Sequence, residues 1–113
     1  MEVLELYHRG IPCLLPARQI VAIDVEAATS EEVHLWPGLP VGDGLERVVL
    51  LETPAGRRCI RGESLRLRAL STGAAQVLPA LLREALGLPH VVGIAEEEGV
   101  IRWLVDLERL DLG

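Results

Sequence analysis

Apolar residues fall in short runs cut at close intervals by glycine and proline, a spacing that predicts an all-β barrel or sandwich. EVLELY (2–7) alternates and forms a first strand, with HRG (8–10) as its turn. IPCLL (11–15) follows, and Pro12 and Pro16 limit how regularly it can pair. RQIVAIDV (18–25) is a stronger strand, with Ile20 and Ala22 on one face and Val21 and Ile23 on the other. AATSEE (27–32) is a loop, EVHLW (32–36) a short strand and PGLPVGDG (37–44) a second loop. ERVVLLE (46–52) is apolar enough for a central strand, and TPAG (53–56) turns it into RRCI (57–60).

In SLRLRAL (64–70) the pattern predicts Leu65 and Leu67 inward, with Arg66 and Arg68 wet. One helix is predicted, LPALLREALG (78–87). Pro79 suits its first turn, Gly87 its stop, and Leu78, Leu81, Leu82, Ala85 and Leu86 its apolar stripe. The chain closes with HVVGIA (90–95), EEEG (96–99) and VIRWLVDLERL (100–110), a hairpin. On its second strand Ile101, Trp103, Val105 and Leu107 share one face, while Arg102, Asp106 and Glu108 share the other with Leu104.

Composition narrows the function classes. A chain of 113 residues suits one domain, residues 1–113, with a core of its own. Aromatic residues number only Tyr7, Trp36 and Trp103, so little surface exists for stacking nucleobases. The formal net charge of −6 argues against a phosphate-backbone partner, so no nucleic acid is expected. No lysine occurs, which removes Schiff-base and P-loop lysine chemistry. Cys13 and Cys59 lie far apart in apolar settings and read as buried thiols rather than a disulfide or metal pair. The start lacks the basic and apolar regions of a signal peptide, and no apolar run is long enough to span a membrane. A cytoplasmic protein without membrane insertion is expected.

Candidate chemistry is sparse. Three consecutive glutamates, 96–98, cannot converge on one ion when neighbours point to opposite faces of a strand. They read instead as the charged tip of a hairpin. His8, His34 and His90 show no metal-ligand spacing, and no GxGxxG, Walker or GxSxG pattern occurs. The sequence therefore points away from an enzyme, a metal or a cofactor; pairing of Cys13 with a histidine is the one nucleophilic arrangement it leaves open. Arg57, Arg58, Arg61, Arg66 and Arg68 form the densest basic cluster, read as a solvated face or as a rim for an acidic protein partner.

The order of these elements resembles the CheW-like coupling proteins of bacterial chemotaxis. IPCLLPARQIVAID is similar to the family's early apolar–Pro–small–x–x–Val–x–Glu–Val segment, with Ile20, Ala22 and Ile23 at its last three marked positions. RVVLLETPAGRRCI resembles the family's central hairpin, and LRLRAL with LPALL resembles the strand and short helix after it. HVVGIAEEEGVIRWLVDLERL is similar to the closing pattern at Val92, Gly93, Leu104, Asp106, Leu107 and Leu110. Two departures stand out: 25–46 is short and lacks the family's Arg–Gly turn, and Gly62–Glu63–Ser64 replaces a Val–Asp pair.

The resemblance implies a mainly β fold of two small SH3-like β-barrel subdomains, the first truncated, with one short helix near 78–86. It implies a non-enzymatic adaptor that binds the cytoplasmic tip of a methyl-accepting chemoreceptor, with binding to a CheA-type histidine kinase weak or lost. Another CheW-like protein is a further partner it implies. The receptor patch would be Ile20, Ala22 and Ile23, rimmed by Arg18 and Gln19. A self-associating structural β module is the alternative.

Overall fold

The computed structural model describes residues 1–24, 31–33, 35, 46–54, 56–87 and 90–106. Nine strands run in chain order: β1 Glu2–His8, β2 Ile11–Pro16, β3 Ile20–Ile23, β4 Glu31–Glu32, β5 Arg47–Thr53, β6 Gly56–Ala69, β7 Ala75–Val77, β8 Val91–Glu97 and β9 Val100–Val105. One helix, α1 (Ala80–Leu86), links β7 to β8. The chain is thus mainly β with one short helix. The strands lie in the order β3-β5-β6-β1-β2-β9-β8-β7, with β4 added in parallel beside β6. Among the described residues this path stays open, ending on β3 and β7.

Two tight hairpins set the register. Arg9–Gly10 and Glu98–Gly99 take positive φ at both positions (53° and 81°, 52° and 79°), the mirror-image turn whose twist matches the flanking strands. Glu96 and Glu97 therefore belong to β8, and the turn itself is shorter than EEEG. RRCI and SLRLRA are not separate strands: both lie in the 14-residue β6, which pairs with β5 at one end and β1 at the other, and Leu70 follows just past its end. This one strand joins the two halves of the fold. β7 lies between SLRLRAL and the helix, where no element is predicted from the sequence.

β1, β2 and β9 are apolar on both faces because they form a wall between two cores. Leu4, Leu6, Cys13, Leu15 and Val105 face Val49, Leu51, Ile60 and Leu35 in the core that joins the halves. From the other face Val3, Leu14 and Leu104 meet Leu70 and Ala95 in the interior of the second half. β2 and β9 complete the wall as a parallel pair, Cys13 opposite Trp103 and Leu14 opposite Leu104.

Several expectations are corrected. Among the described residues of RQIVAIDV the strand covers 20–23, because Ala17–Gln19 forms a 3-10 turn after Pro16; Val25 lies outside the described residues. A break in register between Ile20 and Ala22 then turns both Ile20 and Ile23 onto the joining core and leaves Val21 exposed. Leu65 packs on the joining core and Arg66 is exposed, as expected, but Arg68 is nearly buried and Leu67 is 61% exposed, the reverse of the expectation for that pair. The helix keeps its place, with Gly87 as its left-handed stop, but Pro79 is the cap and not a residue of the first turn. Its stripe is not a core contact: none of its residues is buried, and Leu81 is 79% exposed. Two turns hung outside the β7–β8 edge reach no apolar layer; only Leu78, before the helix, packs on the core. Of EVHLW, Glu32 lies in β4 and Leu35 is fully buried, while His34 and Trp36, like Leu107 and Leu110, lie outside the described residues.

Candidate functional site

Cys13 is fully buried, and its sulfur donates to the Ile11 carbonyl at 3.3 Å. His8 Nδ1 lies 2.6 Å from the Arg61 carbonyl, and its Nε2 accepts the Leu35 N–H at 3.3 Å. His90 Nε2 lies 3.0 Å from the Leu35 carbonyl. Both ring nitrogens of His8 and the Nε2 of His90 thus face backbone atoms. Cys59 is also buried and outside any disulfide, and desolvation is the main cause that pushes its thiol pKa up. Among the described residues no group of three or more His, Cys, Asp or Glu could hold a metal ion. No helix among them is long and apolar enough to cross a membrane.

The glutamate run and the arginine cluster meet in space. Residues two apart on a strand share a face, so Glu5 follows Val3, Arg68 precedes Leu70, Glu97 follows Ala95 and Arg102 precedes Leu104 on the inner face of the second half. The apolar layer of that interior is thus followed by an ionic one. Arg68 donates from Nε to Glu5 at 2.6 Å and from Nη1 to Glu97 at 3.0 Å. Arg102 adds Nε–Glu5 at 3.4 Å and Nη1–Glu97 at 3.8 Å. The hydrogen bond from Arg68 is the main cause of a lowered Glu97 pKa. β6 and β8 share no backbone ladder, and this bridge draws them together across the curl. It opens on a polar cleft of about 200 Å³ lined also by Arg66 and Glu98. Its three carboxylates and three guanidiniums balance in formal charge.

A different surface is apolar. Met1, Leu14, Pro16, Arg18, Val92, Leu104, Val105 and Asp106 line a groove of about 130 Å³. It adjoins a wider depression of about 370 Å³ over Met1, Glu2, Pro16, Ala17 and Arg18. Three features build this place. Pro16 ends β2 and starts the 3-10 turn that presents Arg18. The parallel β2–β9 pair brings Leu14 beside Leu104. Asp106, just past β9, accepts the Gln19 amide at 2.7 Å and faces Arg18 at 3.9 Å, so it ties the turn to the end of the closing strand.

The five residues named from the sequence divide here. Arg18 lines the groove; Gln19 is buried beneath it as the tether to Asp106. Ile20 and Ile23 pack against the joining core, and Ala22 is half-buried on β3. The groove's other walls, Met1, Leu14, Pro16, Val92, Leu104 and Val105, carry no signal as a site in the sequence. They meet through a parallel pairing of strands about 90 residues apart, which no local pattern announces.

No family model matches the chain, and no curated protein matches it. Among solved structures it is similar to the scaffolding protein TtCheW from Thermoanaerobacter tengcongensis. The TM-score is 0.67 over 99% of this chain and 92% of that one, at 10% sequence identity. The fold is CheW-like. At that identity the likeness is one of fold, and it agrees with the order of strands, hairpin and short helix from which the resemblance was drawn. The likeness extends over most of the neighbour's length despite the short 25–46 segment.

Proposed function

We propose that this chain is a non-enzymatic adaptor of a bacterial chemosensory system that binds the cytoplasmic tip of a chemoreceptor. The observation that carries the reading is the apolar groove between β2 and β9, set in a fold similar to that of a chemotaxis scaffolding protein. A receptor tip is helical, and an amphipathic helix laid into such a groove takes most of its affinity from a few apolar anchors. Leu14, Val92 and Leu104 form the floor and Arg18 the charged rim. Ile20, Ala22 and Ile23 act from below, by fixing the turn that carries Arg18. The short 25–46 segment without an Arg–Gly turn supports weak or lost kinase docking, as in a short form similar to the coupling protein of the myxobacterial Frz system.

Titration of the protein with a soluble receptor signalling tip and with a kinase regulatory domain tests this. Measurable binding to the tip is expected, weakened about tenfold by Arg18→Glu, with little or none to the kinase domain. Tight kinase binding without receptor binding would overturn it.

One observation favours a second reading, a self-associating structural module. The sheet path ends on β7, where Val77 is 84% exposed beside the uncovered leucines of α1. Sedimentation over a concentration series separates the two: assembly abolished by Val77→Glu, with no tip binding, would favour the module.

A further inference from the structure

Arg102 is the unsatisfied member of the ionic layer. Its side chain is 15% exposed and its Nε is fully buried, yet its guanidinium donates no hydrogen bond among the described residues. Glu5 at 3.4 Å and Glu97 at 3.8 Å hold it by charge alone, while Arg68 makes the hydrogen bonds to both carboxylates. A guanidinium carries five N–H donors, and buried donors are as a rule satisfied. Two further charges line the same cleft without an ion pair among the described residues, Arg66 and Glu98. Arg66 stands opposite Glu5 in the β1–β6 ladder, but the Glu5 carboxylate is turned to Arg68. Glu98 comes from the tight turn between β8 and β9. Two guanidiniums and one carboxylate are thus open to a ligand, in a cleft that is neutral as a whole.

We propose that this cleft binds a small zwitterion, a free α-amino acid, with its carboxylate on Arg102 and Arg66 and its ammonium on Glu98. A guanidinium grips a carboxylate through parallel N–H···O bonds, which supplies acceptors for the donors that Glu5 and Glu97 leave unused. A ligand of net negative charge would be repelled by Glu5, Glu97 and Glu98, and one of net positive charge by three arginines. A dipolar ligand without net charge meets neither penalty.

Size narrows the class further. The cleft, about 200 Å³, is smaller than the roughly 300–1,000 Å³ of pockets that take drug-sized ligands, so the ligand has few atoms. Val100, 39% exposed, is the apolar part of the lining and suits a short aliphatic side chain. No residue that lines this cleft also lines the groove rimmed by Arg18, so the site stands independently of receptor binding.

Nitrogen-15 NMR during titration with L-alanine tests this. The Arg102 Nε–H and the Glu98 and Val100 amides are expected to shift saturably, with half-saturation at about 1 mM. Acetate and methylamine, which carry one charge each, should bind about tenfold more weakly or worse. Arg66→Gln and Glu98→Gln replace exposed side chains outside the bridge, so each should keep the urea midpoint and weaken L-alanine about tenfold. Arg102→Met should abolish binding; where it does not fold, the two exposed variants decide. Absence of saturable shifts up to about 20 mM L-alanine would overturn the site. Acetate binding as tightly as L-alanine, or unchanged affinity in Arg66→Gln and Glu98→Gln, would overturn the zwitterion.

Discussion

Gly93 lies in mid-β8 with Val77 of β7 on one side and Leu104 of β9 on the other. A Cβ built there would stand 2.3 Å from the Gln76 carbonyl oxygen and 3.2 Å from Leu104 Cδ1. The oxygen belongs to backbone, so relief means moving β7 outward by about an ångström to reach ordinary contact. That displacement strains the pairing of Val77 with Gly93 and the bond from Leu78 N–H to the Val92 carbonyl, now 2.9 Å. Overpacking of this kind costs about 1–3 kcal/mol, and a weakened hydrogen bond adds about 1 kcal/mol. Alanine gains back about 0.5–1 kcal/mol in chain entropy. Gly93→Ala is therefore expected to destabilise the protein by about 2 kcal/mol, read as the shift in urea midpoint followed by circular dichroism. Gly73→Ala is the control, since no atom lies within 4 Å of its Cβ position. If the two variants unfold within about 0.5 kcal/mol of each other, the close approach is not what requires glycine at 93.

Arg68→Met is expected to cost about 2–3 kcal/mol, at or below the lower end of about 3–5 kcal/mol for a fully buried ion pair, because Glu97 keeps some contact with water. The Glu97 pKa is lowered below 4.5, so its contribution is full above 4.5 and fades as pH falls through the lowered value. Urea curves from about pH 6 to 3 should lose part of this slope in Arg68→Met; an unchanged slope would contradict the bridge. Ile20→Asp should unfold the protein, because it would drive a carboxylate against the joining core, whereas Leu81→Asp should stay within about 0.5 kcal/mol of wild type. Thermal melts of the two variants check this, and a folded Ile20→Asp protein would return Ile20 to the surface.

Local order along the chain was enough to place most strands, the helix and the last hairpin, because alternation, glycine turns and proline caps act over a few residues. It also carried the CheW-like resemblance, which rests on sequence of elements and not on any chemical motif. What it missed shares one cause. Leu67 is exposed and Arg68 enclosed, against expectation, although Leu65 and Arg66 meet it, since alternation cannot say where along a strand the enclosed face changes. Here Arg68 points inward because Glu5 and Glu97 wait there from strands 63 and 29 residues away. Glu97, one of three acids that looked like a solvated tip, is a member of that bridge for the same reason.

A β-rich, aliphatic, acidic chain with buried thiols, punctuated by tight turns, follows from residue order alone. Folding across the whole chain is what sets β1, β2 and β9 between two cores, forms the groove rimmed by Arg18 and brings two distant histidines to one leucine. Each depends on pairings such as Leu14 with Leu104, whose partners are set by burying apolar surface across the whole chain rather than by local preference.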